Sequence, residues 1–151
     1  MRRYGLTLLI VVVFLLARRV WTSTAGLAAA FLYATAVLPI QLSHFFTVDV
    51  WLTSFVTLAI YLAVRFMDEP SLRRALFMAL PVGAAFATKA SVPSLLAPLA
   101  LAAGVAIWRA RARGHGVLLP VSWVVLAGAL AVAVFTLFEP YALIHLSLIH
   151  I

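Results

Sequence analysis

The chain has 151 residues, of which 66% are hydrophobic and only 10% are charged. Soluble domains carry about 25% charged residues, so the composition excludes a soluble globular protein and predicts one that crosses a membrane several times. The formal net charge of +7 is explained by the basic residues that orient membrane helices, and we therefore predict no nucleic-acid partner. The lack of cysteine excludes thiol catalysis, disulfides and cysteine-based metal sites.

Six apolar segments follow one another along the chain, separated by charged residues and turn formers. A membrane-spanning helix needs about 20 mostly apolar residues. The predicted spans are Tyr4–Ala17, Val20–Ile40, Val50–Val64, Ala75–Ala87, Val92–Trp108 and Val117–Leu137. The sequence therefore predicts an all-α fold, a polytopic transmembrane helical bundle with about six spanning helices.

The 34 residues from Ala75 to Trp108 would also suit one long tilted helix. Four residues inside this segment favour two short helices that meet near "ATKAS". They are Pro81, Lys89, Pro93 and Pro98. A single helix would also put the run "RARAR" (109–113) on the opposite side of the membrane from Arg73 and Arg74, although basic residues collect on the cytoplasmic side. We therefore predict a helical hairpin.

The basic residues are divided unequally between the two sides of the predicted bundle. Eight fall on one side, namely Arg18, Arg19, Arg65, Arg73, Arg74, Arg109, Arg111 and Arg113. Three fall on the other, namely Arg2, Arg3 and Lys89. An excess of lysine and arginine in short loops marks the cytoplasmic side. The outer side then receives Asp49, Lys89 and Glu139, and we expect the active face of a multi-pass cell-membrane protein there.

Asp49 and His44, in "SHFFTVDV", each have a structural and a functional interpretation. Asp49 is predicted to be the N-cap of the following helix, either with that role alone or with an additional role in a site, because ionisable groups within membrane segments are usually functional. His44 is either an interfacial side chain or a partner of Asp49 that binds a metal or moves a proton. Two ligands five residues apart are a weak metal signal, so we predict no metal site from these residues.

The other polar residues of the predicted outer side are Lys89, Glu139 and Tyr141. Lys89 stands among apolar and small residues, so it must extend its ammonium to the interface or pair with an anion such as a lipid phosphate. Glu139 and Pro140 end the last helix, and Tyr141 is suited to the membrane interface.

On the predicted cytoplasmic side, the sequence "FMDEPSLRR" places two acidic residues, Asp68 and Glu69, before two basic ones. We predict that these acids pair with Arg73 and Arg74 across the turn that starts at Pro70. The sequence contains no glycine-rich phosphate loop, no H-E-x-x-H and no nucleophile elbow.

Three stretches, in this order, resemble successive blocks of a known superfamily. They are "LPIQLSHFFTVDVWLTSFVTLAIYLAVR", "GAAFATKASVPSLLAPLALA" and "FEPYALI". The chain resembles, from about Leu6 to His145, the GT-C glycosyltransferases that use polyprenyl-phosphate sugars, in particular the family 39-like protein-mannosyltransferase or aminoarabinose-transferase type. The most specific element is "FFTVD" followed about 40 residues later by "ATK".

The resemblance implies a GT-C-like fold and sugar transfer from a lipid phosphate to an acceptor on the outer face. Asp49 matches the second acidic position of the family, and Lys89 matches the basic position near the donor phosphate. His44, Glu139 and Tyr141 fall in the same blocks as further substrate-binding candidates, although many relatives carry another type of residue at the position of His44. The expected partners are a lipid-linked sugar donor, membrane lipids and an unidentified acceptor protein or glycolipid. Whether a divalent metal takes part is left open.

One departure from the family pattern is that its principal catalytic carboxylate lies in an outer loop that precedes the first block found here. We therefore expect a fragment that is inactive alone, with a partial transmembrane domain at residues 1–145. The last six residues, "LSLIHI" (146–151), read like one translation frame of a sequencing adapter and are predicted not to be native. The alternatives are a transporter or permease module and a purely structural membrane subunit.

Overall fold

The computed structural model describes residues 2–44, 48–89, 92–114 and 116–140. Within these ranges the chain is helical and contains no strand. The helices are α1 (Arg2–Val20), α2 (Ser23–Thr35), α3 (Val37–His44), α4 (Val48–Asp68), α5 (Leu72–Thr88), a 3₁₀ turn (Pro93–Leu95), α6 (Leu96–Ala112) and α7 (Leu118–Phe138). The predicted all-α helical bundle is confirmed. The predicted boundary at residue 146 lies outside the described residues and stays a prediction.

The second predicted span, Val20–Ile40, is wrong as a single helix. Helix α2 ends at Thr35 and α3 begins at Val37, with Ala36 in an extended conformation (φ −67°, ψ 130°) between them. Pro39 explains this break. Its ring would collide with the carbonyl of Thr35, four residues earlier, if the helix were continuous. In the first turn of a new helix the same proline is tolerated.

The other five predicted spans each coincide with one helix whose ends lie a few residues away from the predicted ones. Among the described residues, three helical segments are long and apolar enough to cross a membrane: Val48–Asp68, Pro93–Ala112 and Leu118–Phe138. Only 22%, 17% and 11% of their most apolar windows are buried inside the protein. The remaining apolar surface needs an apolar environment outside the chain, as a multi-pass membrane protein has. The total of six spans stays a prediction.

Two compact units divide the chain, Met1–Tyr61 and Leu62–Ile151, here called unit 1 and unit 2. In unit 1, helices α1 and α2 approach closely at Gly26, where a Cβ atom would lie 2.9 Å from the carbonyl oxygen of Phe14. Ser54 is fully buried, and its hydroxyl donates to the carbonyl of Val50 at 2.7 Å. Small residues therefore allow the helix backbones of unit 1 to pack closely.

The core of unit 2 is also built from small residues. Its buried cluster consists of Phe66, Ala75, Ala79, Ala106 and Ala127. Helices α5 and α7 meet most closely at Gly83, where a Cβ atom would lie 2.5 Å from the carbonyl oxygen of Ala131 and 2.7 Å from Cβ of Val134. Any side chain at Gly83 would have to push α7 away.

The segment from Ala75 to Trp108 forms two helices, as predicted. Helix α5 ends at Thr88, and α6 begins at Leu96 after the short 3₁₀ turn that starts at Pro93. Lys89 is the residue that leaves the helix, with an extended backbone (φ −157°, ψ 118°). The helix therefore stops at the residue that the sequence singled out.

Candidate functional site

The last turn of α4 is held by Arg74 of α5. The guanidinium of Arg74 donates to the carbonyl oxygens of Arg65 at 3.2 Å and Glu69 at 2.8 Å, and it forms an ion pair with the carboxylate of Glu69. The carbonyl of Arg65 also accepts from the backbone N–H of Glu69 at 3.2 Å, and Arg74 adds contacts from outside the helix to this carbonyl and to that of Glu69, just after α4. The predicted pairing of Glu69 with Arg74 is confirmed.

Asp68 pairs with Arg109 of α6, a partner that the sequence did not predict. Nη1 of Arg109 lies 3.7 Å from Oδ1 of Asp68 and donates to the carbonyl oxygen of Met67 at 3.0 Å. Sequence reasoning missed this partner because 42 residues separate Arg109 from Met67. The end of unit 2 that holds Arg65, Arg73, Arg74 and Arg109 is called the basic end below.

These contacts also fix the direction of the helices in unit 2. The start of α5 and the end of α6 both contact the end of α4, so α5 and α6 run in opposite directions, as the predicted hairpin requires. Only five residues (113–117) connect α6 to α7, so α7 starts near the basic end and runs alongside α5. Lys89 and Glu139 therefore both lie at the opposite end of unit 2, called the groove end below.

A groove of about 520 Å³ lies between helices α5, α6 and α7, and all of its lining residues are apolar. It reaches the groove end, where it is lined by Phe86, Leu96 and Phe135. Phe86 is three residues before Lys89, which is about 4.5 Å along the helix axis. Alanines and Gly128 line the middle of the groove, and their small size leaves the space open. A slender apolar chain fits such a groove.

Lys89 and Glu139 occupy equivalent positions at the groove end. Each is the C-cap of its helix, and each is exposed. The backbone N–H of Lys89 donates to the carbonyl of Ala85 at 3.2 Å, and that of Glu139 to the carbonyl of Phe135 at 2.8 Å. The prediction that the last helix ends at Glu139 is confirmed. An exposed ammonium beside the mouth of an apolar groove suits a lipid that carries a negative headgroup.

Asp49 lies in the first turn of α4, but it is not the N-cap that the sequence predicted. Helix α4 begins one residue earlier, at Val48, so Asp49 is itself in the first turn of the helix. Asp49 is half-buried, and its carbonyl oxygen accepts a hydrogen bond from Oγ1 of Thr53 at 2.7 Å. A carboxylate in the first turn is stabilised by the positive end of the helix dipole.

The remaining predicted site residues, His44 and Tyr141, are outside what the structure describes. His44 is the last residue of α3, and its side chain lies outside the described part, as does the whole of Tyr141. Asp49 belongs to unit 1, whereas Lys89 and Glu139 belong to unit 2. Among the described residues, no three histidine, aspartate or glutamate side chains form a group that could hold a metal ion.

Comparison with known proteins identifies one family. The dolichyl-phosphate-mannose-protein mannosyltransferase family matches residues 6–138, whereas no curated protein and no solved structure matches the chain. The family's donor is a sugar linked to a lipid phosphate, as the resemblance implied. Because the match covers most of the 151 residues, the chain belongs to the dolichyl-phosphate-mannose-protein mannosyltransferase family of GT-C membrane glycosyltransferases.

Proposed function

We propose that this chain is the donor-binding membrane part of an enzyme that transfers a sugar from a polyprenyl phosphate to an acceptor on the outer face of the cell membrane. The observation that carries the proposal is the apolar groove of about 520 Å³ in unit 2. Ligand sites in proteins have volumes of about 300–1,000 Å³. An isoprenoid chain lying in this groove would place its phosphate at the groove end.

Lys89 is the residue that we assign to the donor phosphate. Its ammonium can approach the phosphate oxygens as a point charge. The charge on the phosphate grows as its bond to the sugar breaks, so a fixed cation there stabilises the transition state more than the bound donor. Glu139, at the same end of unit 2, is assigned to hydroxyl groups of the substrate, since a carboxylate accepts their hydrogen bonds.

Asp49 is assigned to the acceptor side of the reaction. In transfer, the acceptor hydroxyl loses its proton to a carboxylate and bonds to the anomeric carbon of the sugar, while polyprenyl phosphate leaves with the electrons of the broken bond. The resemblance places the principal carboxylate of such enzymes in an outer loop, and Asp49 matches a different, second acidic position of the family. We therefore propose that Asp49 is the second carboxylate of the site.

A transporter is the second candidate, and the break between α2 and α3 favours it, because transporter sites use discontinuous helices. Those sites lie near the middle of the membrane. Lys89 and Glu139, however, cap the ends of α5 and α7. Charged residues at helix ends suit a reaction at the membrane surface better than a transport path.

Two leucine substitutions test the groove. A Cβ atom at Gly128 or at Gly104 would meet nothing within 4 Å, so both glycines accept a larger side chain. Gly128 lines the groove and Gly104 does not. Binding of radiolabelled polyprenyl phosphate to the full chain in nanodiscs should weaken at least about tenfold, or 1.4 kcal/mol, in Gly128→Leu and stay unchanged in Gly104→Leu. Equal affinities of the two variants would show that the groove is not the donor site. If the parent chain did not bind polyprenyl phosphate at all, the proposed function would be wrong.

A further inference from the structure

A second, smaller groove of about 380 Å³ lies at the basic end of unit 2, away from the proposed donor site. It follows one face of α5 and is closed on its other side by Leu130 of α7. Its α5 residues are Leu72, Arg73, Leu76, Phe77 and Leu80. The axial distance from Leu72 to Leu80 is about 12 Å, so part of a lipid acyl chain can lie along the groove.

Arg73 differs from the neighbouring arginines in its partners. Arg74 binds the carboxylate of Glu69 and two backbone carbonyls. Arg109 pairs with the carboxylate of Asp68 and donates to the backbone carbonyl of Met67. Among the described residues, the guanidinium of Arg73 contacts the ring of Phe77, 5.5 Å from its centroid, and forms no ion pair. Stacking over the ring leaves the N–H groups at the edge of the guanidinium available to an anion. Arg73 is therefore an exposed cation at the rim of an apolar groove.

The chemistry of this place matches one class of ligand. Leu72, Phe77 and Leu80 expose 39%, 49% and 44% of their surface, and in a multi-pass protein such surface faces the acyl chains. Arg73 lies in the first turn of α5, and basic residues at the ends of membrane helices extend toward the headgroups. A basic residue at the membrane surface attracts anionic lipids, which are concentrated in the cytoplasmic leaflet.

We propose that Arg73 and the groove beneath it form a binding site for one anionic phospholipid. The phosphate of the lipid accepts hydrogen bonds from Arg73, and an acyl chain lies along Leu76 and Leu80 against Leu130. The site is independent of the proposed donor site, because it lies at the other end of unit 2 and uses the opposite leaflet. It goes beyond the membrane attachment that the family implies, since it selects lipids by charge.

The test compares lipid retention in the full chain purified in detergent. Native mass spectrometry with phosphatidylglycerol or phosphatidylcholine would count the lipids that stay bound. The parent chain should retain phosphatidylglycerol about fivefold better, the effect expected of one basic residue at a charged surface. Arg73→Gln should abolish this preference, while Arg73→Lys should keep most of it.

Two further variants separate the site from general electrostatics and from misfolding. Arg113 is exposed like Arg73, and it lies just after the end of α6, near the basic end. Arg113→Gln is therefore the matched control and should keep the full preference for phosphatidylglycerol. Leu80→Trp fills the groove from an exposed position and should reduce phosphatidylglycerol retention although Arg73 is intact. The proposal is overturned if the two lipids are retained equally by the parent, if Arg73→Gln and Arg113→Gln behave alike, or if Leu80→Trp has no effect.

Discussion

The two ends of unit 2 use charge in opposite ways. At the basic end, Arg74 and Arg109 each bind both a carboxylate and the carbonyl oxygens at the end of α4. At the groove end, Lys89 and Glu139 cap their helices through their backbone N–H groups, and both residues are exposed. Charges at the basic end hold helices together, whereas those at the groove end face the surroundings.

Whether a charged residue bonds to a neighbouring helix or is exposed beside the groove indicates its role better than its residue type does. Arg74 and Arg109 at the basic end each bind a carboxylate and at least one backbone carbonyl of another segment, so their removal should lower stability. Lys89 stands beside a groove of about 520 Å³, so its removal should change binding of a lipid phosphate. Our proposal gives Asp49, in the first turn of α4, a functional role like that of Lys89. The two acids at the other end of that helix have a structural role.

The largest expected effect comes from Asp49→Asn, tested in a form of the protein that transfers sugar. Asp49 is the second carboxylate of the proposed site, and the loss of one charge-assisted hydrogen bond, about 1.5–3 kcal/mol, lowers the rate about 10- to 150-fold, whereas the amide of asparagine keeps the size and much of the polarity of the side chain. Sugar transfer to acceptor, measured in membranes with matched expression, should fall by that factor. Glu69→Gln is the control, because Glu69 pairs with Arg74, and it should leave transfer within about twofold, the scatter of surface substitutions. Normal transfer by Asp49→Asn would return Asp49 to a purely structural role.

Lys89→Gln should reduce the affinity for polyprenyl phosphate about tenfold, which corresponds to 1.4 kcal/mol. The loss should shrink as salt is added, since an exposed charge is screened. The measurement is binding of the labelled lipid to the chain in nanodiscs at two salt concentrations. Arg111→Gln, another exposed basic residue, serves as control. If Lys89→Gln bound the lipid as tightly as the parent chain at both salt concentrations, Lys89 would not bind the phosphate, and its side chain would only extend to the membrane interface.

The sequence was sufficient to locate the helices because apolar runs bounded by charges need little tertiary information. It also located the break after Thr88, since Lys89 and Pro93 disfavour a continuous helix there, whereas Pro81 and Pro98 are accommodated inside α5 and α6. It did not predict the break at Ala36, because Pro39, which clashes with the carbonyl of Thr35, stands within a uniformly apolar run. The two grooves could not be predicted, because each combines side chains from helices far apart in the chain, as does the contact of Arg109 with Asp68.

The glycine at the contact between α5 and α7 gives a purely structural contrast to the groove variants. In Gly83→Ala the new methyl group would lie 2.5 Å from the carbonyl oxygen of Ala131, so α7 must shift. Overpacking of this kind costs about 1–3 kcal/mol, to be measured as the free energy of unfolding in mixed detergent micelles. Gly104→Ala should be neutral or slightly stabilising, because its Cβ meets nothing within 4 Å and alanine favours helix. Equal stability of the two variants would show that α5 and α7 are not in close contact.

The adjacent pair Arg73 and Arg74 tests the comparison within a single helical turn. Arg74→Gln removes the contacts of Arg74 with the end of α4 and should cost about 1–2 kcal/mol of unfolding free energy, toward the lower figure because Glu69 is exposed and its ion pair is weakened by water. It should leave the preference for phosphatidylglycerol intact. Arg73→Gln should do the reverse, with stability unchanged within about 0.5 kcal/mol and the lipid preference lost. If both substitutions lowered stability equally and neither changed lipid retention, the arginines of the basic end would share one structural role, and the division between holding helices and binding lipids would not apply to them.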